Sequence, residues 1–99
     1  MKTGIELIAD ERQEQITKHR MTIGHDMVFN NDFQLIHVAN GLLFCGEEIS
    51  PMSMIIQMGG TVNWNGQFLE KLADKPYKER LIIAGALIAA EIDRIQNQD

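Results

Sequence analysis

Two charged side chains stand among apolar ones at helical spacing, and their signs are opposite. In "IELIADERQEQI" (5–16), Arg12 shares a wheel face with Ile5, Ile8, Ala9 and Ile16, with His19 adjacent. In the closing run "GALIAAEIDRI" (85–95), Ala84, Ile88, Ile92 and Ile95 centre the apolar face. Glu91 lies beside Ala84 and Ile95, whereas Asp93 points toward solvent. An unpaired buried charge costs roughly several kcal/mol, so each needs a partner. The economical expectation is that Arg12 and Glu91 meet across antiparallel packing of the two terminal helices. Such a pair either fixes helix register or lines a polar pocket joined by Gln15, His19, His25 and Asp26.

Other polar groups carry less specific chemistry. His25 and Asp26, in "GHD", can ligate a metal or hold an anion, but two residues are no metal motif, and a capping Asp beside an exposed His is the alternative. His37 and Asn40 sit among Phe33, Ile36, Leu43 and Phe44 and read as satisfied polar groups of a core. Ser50 and Ser53 lack a positioned base, and no glycine-rich phosphate loop follows a strand. Trp64, in the loop "NWN", is either a lid over the core or a stacking surface. The single cysteine, Cys45, excludes an intrachain disulfide and reads as a small buried apolar residue. No cofactor is implied.

The elements that must position these groups are helical. Residues 4–20 have one apolar stripe, with Thr3 as N-cap and Glu6 completing a capping box. "MTIGHDMVFNN" reads as a connection, and "NDFQLIHVANGLLFC" as a second helix capped by Asn31 or Asp32. That helix is apolar nearly all round, so it is central in its domain or buried by another subunit. Residues 49–65 carry no charge, "MSMIIQM" fits a short helix or a strand, and Gly59-Gly60 ends it. "NGQFLEKLAD" fits a short helix, and Pro76 opens a last helix from Tyr77 to about Gln96. The expected fold is all-α: a small helical bundle over residues 1–99, its long terminal helices packed antiparallel around the apolar second helix.

Composition narrows the partners. At 99 residues, 44% hydrophobic and 23% charged, the chain is one domain with a modest core, a size at which a partner chain often completes the burial. Net charge is −5, and no Lys or Arg occurs between Arg20 and Lys71, which argues against a general nucleic-acid binder. With no signal-peptide h-region and no apolar stretch of membrane length, the chain reads as cytoplasmic, with no membrane partner.

"ERQEQ" (11–15), "HD" (25–26), the loop Trp64 and "KERLIIAGALIAAEIDRI" (78–95) together resemble small helical proteins encoded by phages and prophages. These share an ERQxQ helix, an EHD turn, a Trp-rich loop and a closing AGALIxAEIxR helix. Here Gly24 replaces the turn's Glu, and "NWN" replaces the Trp-rich loop. The resemblance implies a viral or mobile-element setting and little about chemistry. A weaker likeness is to the all-α nucleoside triphosphate pyrophosphohydrolases of the MazG type, whose ExxE and ExxD carboxylates hold magnesium. Glu11 and Glu14 match ExxE, but Glu14 points away from the apolar stripe and Arg94 stands where ExxD needs its Asp.

The leading expectation is therefore a helical homo-oligomer, self-associating through the second helix and residues 49–65. It binds a small polar ligand, a nucleotide or nucleotide-derived signal, without turnover. The site residues are Arg12, Gln15, His25, Asp26, Trp64 and Glu91, with no metal. In a phage setting such a protein would sequester a host signal. The alternatives are magnesium-dependent pyrophosphohydrolysis by Glu11, Glu14, Glu91 and Asp93, and a Met-rich protein that inhibits a host enzyme by binding it.

Overall fold

The structure, a computed structural model, describes residues 1–30, 33–44, 53 and 64–98. Among the described residues there are five helices and no strand: α1 (Gly4–Lys18), α2 (Ile23–Phe29), α3 (Gln34–Phe44), α4 (Gly66–Ala73) and α5 (Tyr77–Gln96). The fold is all-α, as the periodicity predicts. The candidate caps Asn31 and Asp32, Cys45, the "MSMIIQM" stretch and Gly59-Gly60 lie outside the described residues, as does most of the uncharged 49–65 segment.

Local chemistry sets the helix starts. The Thr3 hydroxyl accepts the Glu6 N–H at 3.2 Å, and the Glu6 carboxylate accepts the Thr3 N–H at 2.9 Å, completing the capping box. Asn65 caps α4 by accepting the Phe68 N–H at 3.1 Å, and Pro76 occupies the N-cap position of α5. The stretch read as a connection contains α2. Thr22 caps it by accepting the His25 N–H at 3.1 Å, which places Asp26 in its first turn. Between α1 and α2 the chain turns at Arg20, whose φ is 56°, and the Met21 N–H returns to the Gln15 carbonyl at 3.0 Å.

The core lies where α3 and α5 meet. Leu35, Val38, Ala39 and Leu42, at i, i+3, i+4 and i+7, form the buried stripe of α3. Facing them are Ile83, Ala84, Leu87 and Ala90 of α5, with Leu69 and Leu72 of α4 closing the cluster. So α3 spends most of its apolar side chains inside its own chain, which settles the choice left open for it. Each Leu removed from water here is worth about 1.5–3 kcal/mol.

Two wheel assignments need correction. Ile88, Ile92 and Ile95, expected at the centre of the buried face, are 39%, 50% and 54% exposed. The buried face of α5 instead runs through Ile83, Leu87, Ala90 and Arg94, flanked by Ala84 and Glu91. The run is apolar nearly all round, and its Ala-rich side admits α3 more closely than the isoleucine side would. On α1, Ile5 is 83% exposed and Ala9 is exposed, while the buried residues are Arg12 and Gln15. Helices α1 and α5 touch at Gly85, where an added Cβ would lie 2.6 Å from Ile8 Cδ1. No described helix is long and apolar enough to cross a membrane.

Candidate functional site

Arg12 reaches from α1 toward both α2 and α5. Its Nη1 donates to the Met21 carbonyl at 2.8 Å, its Nη2 stands 3.8 Å from Asp26 Oδ2, and its Nε stands 3.8 Å from Asp93 Oδ2. Asp26 is fully buried. Its Oδ1 accepts from Asn30 Nδ2 at 2.7 Å and lies 3.4 Å from His25 Nδ1. Asn30 Oδ1 in turn accepts the Trp64 indole N–H at 2.9 Å. A buried polar chain thus runs Arg12–Asp26–Asn30–Trp64, tying α1 and α2 to the residue that leads into α4.

The expected Arg12–Glu91 pair does not form. Glu91 Oε1 accepts from Arg94 Nε one turn along α5, and Arg12 takes Asp26 and Asp93 instead. Asp93, expected in solvent, is half-buried for that reason. Periodicity identifies Arg12 and Glu91 as inward charges, but Arg94, to which it assigns no face, is buried beside Glu91 and neutralises it locally.

Beside this network lies a trough with rings along its walls. His19 and Phe68 have ring centroids 5.7 Å apart, and Phe68 and Trp64 6.2 Å. One cavity of about 250 Å³ is bordered by His19, Met21, His25, Asn30, Trp64 and Phe68. A larger cleft of about 950 Å³ shares His19 and Phe68 with it and continues between α1 and the α4–α5 turn. Lys71, Lys75, Glu11, Glu14 and Glu79 line that cleft. Between the two is a cavity of about 20 Å³, lined by Gln15, His19, Trp64 and Phe68 among others.

The electrostatics of the cleft are mixed. Lys75 stands 3.7 Å from Glu79. Burial, then the neighbouring Glu14, pushes the Glu11 carboxyl above its ordinary value, while His19 and Lys75 pull it the other way. With Asp10, four carboxylates face two lysines, so the lining is net negative and repels a polyanion more than a compact anion held at the lysines.

Of the six expected site residues, Gln15, His25 and Trp64 border these cavities. Arg12 and Asp26 lie behind them in the buried chain, and Glu91 is with Arg94. His19, Phe68, Lys71 and Lys75 complete the trough. His19 belongs to the polar pocket expected from the sequence, although not to the six ligand-binding residues. Phe68, Lys71 and Lys75 fall at i, i+3 and i+7, a one-face spacing that was available in the sequence. His37, expected to be satisfied, keeps a buried Nδ1 without a hydrogen-bond partner among the described residues. The carboxylates of the pyrophosphohydrolase alternative are divided: Glu11 and Glu14 line the cleft, while Glu91 and Asp93 are engaged by Arg94 and Arg12. Among the described residues no three His, Cys, Asp or Glu side chains are grouped to hold a metal ion.

No protein-family model, curated protein or solved structure matches this chain.

Proposed function

We propose that this protein binds a small, ring-bearing polar ligand of the nucleotide class, without turnover, in the trough between α1 and α4. The observation that carries this reading is the shared wall: His19 and Phe68 belong both to the ring-lined cavity and to the cleft that holds Lys71 and Lys75. A planar base has aromatic faces to stack on, worth about 1–3 kcal/mol per base. A phosphate then extends toward the lysines. The surrounding carboxylates favour a monophosphate or cyclic nucleotide over a triphosphate. In a phage or mobile-element setting, this chemistry suits sequestration of a nucleotide-derived signal.

Thermal stability tests it. A ligand at a hundred times its Kd stabilises the folded state by about 2.7 kcal/mol, so nucleoside monophosphates are expected to raise the Tm. Lys71→Ala with Lys75→Ala should reduce the shift for a monophosphate and spare that for the nucleoside. Phosphate and pyrophosphate release should stay at background in the same samples. No shift with any nucleoside or nucleotide would end the reading.

A second reading, contact with another protein chain, is favoured by exposed apolar side chains. Val28 and Phe29 on α2 and Ile88, Ile92 and Ile95 on α5 are open to solvent. Self-association would use these faces, since the apolar stripe of α3 is consumed in the core. Sedimentation giving the mass of one 11.2 kDa chain would remove self-association and leave a different partner.

A further inference from the structure

Gln15 is nearly inaccessible, 3% exposed, yet its Oε1 has no hydrogen-bond partner among the described residues. Buried acceptors are almost always satisfied, and an orphan calls for an occupant that donates. Of the amide's two polar atoms it is the oxygen that is left in this state. Gln15 also lines the cavity of about 20 Å³ that lies between the two larger spaces. That volume admits one water-sized group. Its walls include His19, Trp64 and Phe68, the rings that border the base-sized cavity.

We propose that Gln15 determines ligand specificity in this trough, its Oε1 accepting a hydrogen bond from an exocyclic amino group on the ligand's ring. The inference rests on the nucleotide-class reading above. An amino group is of water size and supplies the missing donor. A ring carbonyl at the same place sets oxygen against oxygen and leaves both acceptors unsatisfied, the situation that makes hydrogen-bonding sites discriminate strongly. The favoured rings are aminopurines and aminopyrimidines, and the disfavoured ones are their keto counterparts. The exchange also turns the adjacent ring nitrogen from an acceptor into an N–H donor, so the contribution of Gln15 is isolated by comparing the ratio before and after its substitution.

The test is calorimetric titration of the whole chain with AMP against IMP and with CMP against UMP. The amino member of at least one pair is expected to bind about tenfold more tightly or better. In Gln15→Met that ratio should collapse toward one, the amino member losing affinity and the keto member losing none, whereas a purely structural role would weaken both members alike. Should Gln15→Met fail to fold, purine riboside monophosphate decides, since it keeps the ring-nitrogen acceptor and lacks only the amino group: binding as tight as that of AMP overturns the role of Gln15. Equal binding within both pairs, or preference for the keto members, overturns the role of Gln15 and leaves the nucleotide reading standing. Binding of none of the four removes that reading and this inference together.

Discussion

The Arg12 guanidinium and the Asp26 carboxylate stand 3.8 Å apart with both side chains almost wholly removed from solvent. Asp26 gains one close hydrogen bond, from Asn30, and Arg12 one, to the Met21 carbonyl. This relationship, with its continuation through Asn30 to Trp64, ties the short helix α2, which packs on α5, to the Arg12 side chain of α1 and fixes one wall of the trough.

Removing one partner of a buried pair leaves the other charge uncompensated, at a cost of about 3–5 kcal/mol. Asp26→Ala is expected to lose that much in urea denaturation. Asp93 meets the same guanidinium from a side chain that is 40% exposed, and Asp93→Ala should cost under about 1 kcal/mol. Equal losses would contradict the assignment of Asp26 as the principal partner.

Gly85 permits the close approach of α1. A helical Gly→Ala change ordinarily gains about 1 kcal/mol, but here the new methyl meets Ile8 Cδ1 at 2.6 Å. Gly85→Ala should therefore show no gain in the wild-type background and its ordinary gain in Ile8→Ala. A double-mutant cycle by thermal denaturation measures the coupling, and additive effects would place the helix crossing elsewhere.

Burial and Glu14 hold the Glu11 carboxyl above its ordinary value, so the folded state disfavours its carboxylate. Below the ordinary glutamate range Glu11 is protonated in both folded and unfolded chains and costs nothing. As pH rises through the ordinary and then the raised value, the fold loses stability that a neutral side chain would keep. Glu11→Gln should raise the Tm near neutral pH and leave it unchanged at acid pH. The opposite pH dependence would show that Lys75 and His19 outweigh burial.

What was legible in the sequence follows the range of the forces involved. Thr3 and Glu6, Asn65 and Pro76 act within one helical turn, and the starts of α1, α4 and α5 were readable from them. Helix α2 was not, because its inward residue is Asp26, held by Arg12 on another helix, and its Val28 and Phe29 face solvent. The inward face of α5 was misjudged because Ile88 and Ala90 are both apolar, and only the packing of α3 separates them. Arg12 and Glu91 were recognised as buried charges, but a helical wheel carries no information about partners. The trough is half visible in the sequence: Gln15, His19, His25 and Trp64 are named there, whereas Phe68 and Lys71 join them through the packing of α4.

The most direct test uses Trp64, the chain's one tryptophan, which borders the ring-lined cavity and donates to Asn30. Its intrinsic fluorescence should be followed while AMP and CMP are titrated into the folded protein, with Phe68→Ala as control. Saturable quenching that weakens in Phe68→Ala is the predicted result. Unchanged Trp64 emission, with no change in Tm at the same nucleotide concentrations, would contradict a base-binding trough at this site.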